Sequence, residues 1–182
     1  MVCALPMRVT NRMQRLRRAI IGTAVACTAI GRLGVVEAQA QTSSAVAVTS
    51  EVTTECFVSA SPMAFGVYDP VFANGSVALD GMATITLTCT KGAVATVALG
   101  AGVNAIGQTR RMVSNIGDHL AYELHMDAAR MFAWRDDIFS LLTLGPATSM
   151  APRALTVYGR VDAGQDVRAG TYTDSIIATV NF

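Results

Sequence analysis

The stretch MATITLTC, residues 82–89, alternates strictly between apolar and polar side chains after its first methionine. The odd positions are apolar and comprise Ala83, Ile85, Leu87 and Cys89. Successive side chains of a β-strand point to opposite faces of its sheet. The pattern therefore predicts a half-buried strand whose inner face carries Cys89.

A second stretch, residues 52–58, has the same period and places Cys56 on the inner face of its own strand. Cys56 and Cys89 are separated by 33 positions and form an even pair in a chain that we expect to be exported. Exported proteins fold in oxidising compartments, so a disulfide between them is predicted. Two buried free thiols are the alternative.

Further short strands are predicted along the rest of the chain, at 65–68, 93–99, 120–126, 138–144, 154–161 and 172–182. Between them lie turn clusters such as Asp69-Pro70, Asn74-Gly75-Ser76 and Lys91-Gly92. Many short strands with regular turns are typical of an antiparallel β-sandwich. The fold class predicted is all-β.

The N-terminal 40 residues have the composition of a secretory signal peptide. Five arginines precede residue 19, an apolar run follows to residue 30, and Ala38-Gln39-Ala40 has the form that signal peptidase cleaves. Cleavage after Ala40 leaves 142 residues, enough for one domain. It removes six of the 14 basic residues and one of the 13 acidic ones, so the mature net charge is −4. A lipoprotein anchored at Cys27 is the alternative.

Catalytic, metal and nucleic-acid sites have little support in this sequence. His119 and His125 share the polar parity of their predicted strand with Glu123, which predicts that they face solvent. About six strand residues separate the two imidazoles by roughly 20 Å, too far to share one metal ion. The glycines of residues 99–107 lack a following helix, and Arg110-Arg111 is the single adjacent basic pair in the mature chain. We expect no enzyme activity, no cofactor and no nucleic-acid partner.

The segment AQAQTSSAVAVTSEVTTECF, residues 38–57, contains an alternating run without a turn or a hairpin partner. Its apolar positions are Val46, Val48 and Val52. Such a run is either the first strand of its own domain or a strand that pairs with another chain. Alternation by itself fits both.

Six stretches resemble the spore coat U domain family, which includes the subunits of archaic, Csu-type chaperone-usher pili. They follow one another in order: CFVSASPMAFGVYDP (56–70), ATITLTCTKG (83–92), VALGAGVNAIGQTRRM (97–112), LAYELHMDAARMFAW (120–134), LTVYGRVDAGQ (155–165) and AGTYTDSIIATVNF (169–182). Together they cover nearly the whole mature chain. The match is poorest between residues 136 and 152.

The resemblance implies an incomplete immunoglobulin-like sandwich that a donor strand from a neighbouring subunit completes. Residues 1–40 would be the signal peptide, 41–54 the donor extension and 55–182 the sandwich. Val46, Val48 and Val52 would enter a neighbour's groove. That groove would be formed in part by a final strand that also binds the chaperone, with Ile176, Ala178, Val180 and Phe182 on one face.

The function implied is a structural fimbrial subunit of a surface fibre for adhesion or biofilm formation. Its partners would be identical or sibling pilin subunits, a periplasmic chaperone and an outer-membrane usher, and it would pass through the periplasm to the cell surface. A monomeric secreted binding protein or adhesin, or a spore or cell coat protein of the same fold, is the alternative.

The signal peptide predicts that the exported protein begins at Gln41. Its intact mass is expected to match residues 41–182, because signal peptidase cuts after the second small residue of the motif. A mass that includes the first 40 residues, or a lipid on Cys27, would contradict this prediction.

Overall fold

A computed structural model of the protein describes residues 39–182. Nine strands follow in chain order, and the described residues contain no helix: β1 (Cys56–Ala60), β2 (Leu79–Cys89), β3 (Ala95–Leu99), β4 (Arg110–Ser114), β5 (His119–His125), β6 (Leu142–Leu144), β7 (Arg153–Val161), β8 (Tyr172–Thr173) and β9 (Ala178–Asn181). None of this part of the chain forms a helix able to cross a membrane. The predicted signal peptide lies outside the described residues except for Gln39 and Ala40.

The strands form two sheets with antiparallel pairing throughout. The larger has six strands in the order β1-β2-β7-β5-β4-β8, and the smaller has three in the order β6-β3-β9. The central pair of the larger sheet, β2 and β7, runs in register from Leu79 opposite Val161 to Leu87 opposite Arg153. The all-β antiparallel sandwich predicted from the sequence is confirmed.

The core lies between the inner faces of the sheets. Its most deeply buried apolar side chains come from β2, β3, β7 and the loop after β5, and they are Leu87, Val97, Val161 and Trp134. The indole N–H of Trp134 donates to the main-chain oxygen of Val97 over 2.9 Å, so this ring is buried without an unpaired donor. The predicted inner face of residues 82–89 is confirmed, since Ile85, Leu87 and Cys89 are all buried.

The disulfide joins Cys56 of β1 to Cys89 of β2, as the parity of the two strands predicts. The two residues are direct partners in the β1–β2 register, with 4.1 Å between their Cα atoms. β1 is the edge strand of the larger sheet. The bond therefore ties that edge covalently to the sheet.

The strand predicted at 65–68 is wrong, because this segment crosses the inner face of the larger sheet instead of joining it. Gly81 and Gly159 are opposite each other in the β2–β7 register. A Cβ at either position would approach the Phe65 ring, to 2.9 Å at Gly81 and 2.7 Å at Gly159. The two glycines thus leave the space that this ring fills, and the ring also meets Tyr122 edge to face at 5.9 Å between centroids.

Two other predicted strands differ from the observed ones, and one observed strand was not predicted. Of the strand predicted at 138–144, only Leu142–Leu144 pairs with a neighbouring strand. Phe139 is 91 % exposed and lies in a turn. The Asp137 carboxylate stabilises this turn by accepting a hydrogen bond from Phe139 N. The strand predicted at 172–182 divides into β8 and β9, which belong to different sheets. Strand β4 was not predicted, because the preceding glycines favoured a turn.

Arg110 of β4 is buried in the sandwich, with 1 % of its surface exposed. Its guanidinium donates to the carbonyls of Leu99, Gly100 and Trp134 and pairs with Glu123 over 2.5 Å. Glu123 in turn pairs with Arg135. The expectation that Glu123 faces solvent is therefore wrong, since its carboxylate neutralises the buried Arg110 guanidinium. The same guanidinium holds the end of β3 through the carbonyls of Leu99 and Gly100.

His119 is exposed as predicted, but the prediction that His125 faces solvent is wrong. Only 9 % of His125 is exposed, because the loop after β5 folds back over the end of that strand. Met126 N donates to Phe132 O, and Trp134 N donates to Leu124 O. Within residues 39–182, no cluster of three or more His, Cys, Asp or Glu side chains could hold a metal ion.

The chain divides into two units between Ala47 and Val48, and the second unit, Val48–Phe182, contains the sandwich. Residues 39–55 form no strand. Val46, Val48 and Val52 are 84 %, 89 % and 81 % exposed, respectively. Three valines therefore remain in water although their sequence pattern is that of a strand.

Loss of the disulfide is expected to destabilise the domain. Cys56→Ala should lower the free energy of unfolding by about 2–5 kcal/mol, the usual range for a native disulfide in a small exported domain. Urea unfolding measures the change. Dithiothreitol should destabilise the unsubstituted protein and leave Cys56→Ala unaffected. Two free thiols in the denatured, unreduced protein would contradict the pairing.

Neutralising Glu123 is expected to be costly because it leaves the Arg110 cation buried without its partner. Glu123→Gln should lower the free energy of unfolding by about 3 kcal/mol, the lower end of the range for a broken buried ion pair, since the Glu123 side chain is 24 % exposed. Asp80→Asn is the matched control. The Asp80 side chain is 39 % exposed and pairs with Arg160 and with Arg130, so its substitution should cost less than that of Glu123, about 1 kcal/mol. Equal losses for both variants would refute the importance of burial.

Candidate functional site

The outer edge of β1 is free of any described strand. Ser61 N donates to Thr84 O, and Thr90 N donates to Glu55 O, so odd-numbered residues of this segment bond to β2. Main-chain groups alternate in direction along a strand. The N–H and C=O groups of Cys56, Val58 and Ala60 therefore point to the open side.

The outer edge of β9 is free in the same way. Gly100 N donates to Ile177 O, and Thr179 lies opposite Ala98, so odd-numbered residues of this strand face β3. The main-chain groups of Ala178 and Val180 consequently point away from β3. Within residues 39–182, β9 thus has donors and acceptors that no strand pairs, while its inward side chains contact the core.

An apolar groove opens between these two edges. It contains a cavity of about 310 Å³ that Ala60 of β1 and Ala178 of β9 both line. A second cavity of about 680 Å³ adjoins it, and neither edge strand lines that one. The first is lined by residues of β1 and the following loop, by the inner faces of β2, β5 and β7, and by the segment that leads into β9. The two cavities share Met63, Phe65, Met112 and Tyr172.

The predicted groove residues occupy this region to different extents. Ile176 and Ala178 line the first cavity, and Val180 is half-buried on the same face of β9. Phe182 lies beyond the end of β9 and is mostly exposed. Three of the four residues thus contact the core side by side along the open edge.

Two of the polar residues that line the first cavity, Tyr122 and Asp174, are hydrogen-bonded to each other. Tyr122 donates its hydroxyl hydrogen to Oδ2 of Asp174 over 2.7 Å. Asn104 donates to Oδ1 of the same carboxylate from its main-chain N and from Nδ2, over 3.2 and 2.9 Å. Burial raises the pKa of Tyr122, and the hydrogen bond to Asp174 raises it further, so the phenol stays protonated.

Sequence reasoning missed Asp174 and Tyr122. A signal for Asp174 was present, because it interrupts an even-numbered apolar stripe of the C-terminal segment that comprises Tyr172, Ile176, Ala178 and Val180. Nothing in the sequence indicated that Tyr122, on β5, meets this carboxylate. Their contact depends on the packing of the two sheets.

Thr90 holds the residues that precede β1. Its Oγ1 accepts from Glu55 N over 3.0 Å and lies 3.3 Å from Thr53 O, while its main-chain N donates to Glu55 O over 2.8 Å. These bonds extend the β1–β2 ladder beyond Cys56. Residues 53–55 therefore continue the line of β1.

The chain has relatives among curated proteins and solved structures. It is 37 % identical over 130 residues to Protein U of Myxococcus xanthus, covering 65 % of this chain and 70 % of that protein. Its fold resembles a chain of the chaperone–tip adhesion subunit pre-assembly complex from the archaic chaperone-usher Csu pili of Acinetobacter baumannii, with a TM-score of 0.51 and 20 % identity. That match covers 72 % of this chain and 40 % of the other.

A second structural match is to a chaperone–tip adhesin complex of CFA/I fimbriae, with 14 % identity and a TM-score of 0.38. It covers 62 % of this chain and 36 % of the other, and no conclusion follows from it.

The likeness to the Csu structure supports the immunoglobulin-like sandwich. The model of the Spore Coat Protein U domain matches residues 42–179. The chain therefore belongs to the spore coat protein U domain family.

Proposed function

We propose that this protein is a structural fimbrial subunit that polymerises by donor-strand complementation. Residues 41–54 of one copy would enter the groove between β1 and β9 of the next copy. The observation that supports this proposal is the presence, in one chain, of an exposed alternating segment and a groove flanked by two open strand edges.

The chemistry of the groove suits a strand better than a compact ligand. An added strand hydrogen-bonds to an open sheet edge while its alternate side chains enter pockets. The open groups of Ala178 and Val180 supply such an edge, and the groove accepts apolar side chains. Burying each of Val46, Val48 and Val52 contributes about 1.5–3 kcal/mol. In water, these valines gain none of this stabilisation.

The geometry before β1 favours a donor strand that acts between chains. To pair with its own groove, the extension would have to reverse direction immediately before Cys56. Residues 53–55 are instead bound to Thr90 along the line of β1. A self-complementing hairpin would break these bonds, whereas insertion into a neighbour keeps them.

The proposal extends to the assembly partners. An open apolar edge is prone to aggregation, so a periplasmic chaperone would cover it before assembly, and an outer-membrane usher would deliver the subunit to the cell surface. The Csu structure with a similar fold is a chaperone–subunit complex. Residues 1–40 would act as the signal peptide, 41–54 as the donor and 55–182 as the sandwich, in a fibre for adhesion or biofilm formation without enzyme activity.

A spore or cell coat protein is the second candidate. The observation in its favour is the match to the Spore Coat Protein U domain together with 37 % identity to Protein U. A coat protein that stays monomeric, like a monomeric secreted adhesin, would have no need for an intermolecular strand. The behaviour of the extension therefore distinguishes these candidates.

A charge in the extension is expected to block polymerisation. Val48→Asp should abolish the ladder of denaturant-resistant oligomers seen on an unboiled gel, because the carboxylate would have to be buried unpaired in the groove. Thr49→Asp is the matched control. Its side chain has the opposite parity and would remain in water, so oligomers should persist.

Deletion of residues 41–54 is the complementary arm of this test. The shortened subunit should be stable only with its chaperone or with a synthetic peptide of those residues. A shortened subunit that is stable and monomeric without either one would show that its sandwich is already complete. In that case the groove is not a donor site and the proposal is wrong.

A further inference from the structure

The valine stripe of the extension contains one polar position. The even-numbered residues from 46 to 52 are Val46, Val48, Ser50 and Val52, so Ser50 would face a groove together with the valines. On its opposite face, the extension carries Thr49 and Glu51, which would remain in water. A serine within the inward stripe requires a hydrogen-bond partner, because an unpaired buried hydroxyl is unfavourable.

The inward stripe of the segment that leads into β9 is likewise interrupted by one charged residue. Asp174 shares the inward parity of Ile176 and Ala178 and lines the first cavity. Its carboxylate is held by Asn104 and by the Tyr122 hydroxyl, which together occupy three acceptor positions. A carboxylate has about four such positions, and the Tyr122 oxygen can also accept. The groove therefore retains capacity for one more hydroxyl donor at this point.

We propose that Ser50 of one subunit pairs with the Asp174–Tyr122 pair of the next and thereby sets the register of the donor strand. This inference rests on the proposed function and specifies how the same groove selects one alignment. The Ser50 hydroxyl donates to Asp174 or to the Tyr122 oxygen. Val48 and Val52 then occupy the apolar positions on either side, whichever direction the donor runs.

Apolar burial alone does not select a single register. A slip by one residue turns the valines out of the groove, so parity excludes it. A slip by two residues keeps parity and places Val48 or Val52 against Asp174. That arrangement covers the carboxylate without giving it a donor and leaves Ser50 unpaired in an apolar pocket. A single buried polar residue fixes the register of coiled coils for the same reason.

The register can be measured in assembled fibres of the full chain by disulfide trapping on the outer face of the sheet. Ser175 precedes β9, is exposed and is adjacent to Asp174 in the chain. Ser175→Cys is combined with one cysteine in the extension, at position 45, 47, 49, 51 or 53. Tryptic mass spectrometry identifies the crosslinked pair. We expect the crosslink at Thr49→Cys or Glu51→Cys, the two positions that flank Ser50.

The decisive variant moves the serine without changing the composition of the extension. In Val48→Ser combined with Ser50→Val, the main crosslink should shift by two residues, and its yield at the original position should fall by about tenfold or more, as expected for one hydrogen bond to a charged group. Ser50→Val alone should spread the crosslink over positions two residues apart. Ser44→Val, which changes a serine of the same parity outside the valine stripe, should leave the pattern unaltered.

The extension substitutions lie in an exposed segment, and Ser175 is exposed and outside both sheets, so the folding of the sandwich is not at risk. An unchanged crosslink in the swapped variant, with fibres still formed, would overturn the register inference and leave the proposed function intact. Failure of the unsubstituted chain to form any intermolecular polymer would overturn both.

Discussion

An open strand edge is a row of main-chain donors and acceptors that needs partners, and two such edges flank one apolar groove in this protein. At β9, the groups of Ala178 and Val180 point outward while their side chains contact the core. Water can hydrogen-bond to these N–H and C=O groups only while the groove is open to solvent. Covering the groove with apolar surface alone would leave them unpaired, so the occupant must bring its own main-chain hydrogen bonds, as a strand does.

Both edges are attached to the body of the domain by strong local bonds. The disulfide between Cys56 and Cys89 fixes β1 to the larger sheet at one end. On the other side of the groove, buried Arg110 binds the carbonyls of Leu99 and Gly100, and Gly100 N in turn donates to Ile177 O. The cation thus supports the segment on which β9 is built. A rigid groove lowers the entropy cost of binding a strand.

Apolar and polar contacts have different roles in such a groove. Burial of valines is non-directional and supplies affinity at any alignment of the right parity. The carboxylate of Asp174 is held in place by Asn104 and Tyr122, and its hydrogen bonds are directional. In the proposed assembly it would favour one alignment. Phe65 packs over Gly81 and Gly159 and lines both cavities.

Local sequence was enough to predict the all-β class, the parity of Cys56 and Cys89, and the shared face of Ile176, Ala178 and Val180, because each depends on a period of two that neighbouring residues set. It also contained the alternation of Val46, Val48 and Val52. Three features became visible only in the folded domain: the burial of Arg110 and His125, the path of residues 65–68 across the sheet, and the contact of Asp174 with Tyr122. These depend on which strands become neighbours, and contacts between residues distant in sequence, such as Tyr122 and Asp174, leave no periodic trace in either local segment.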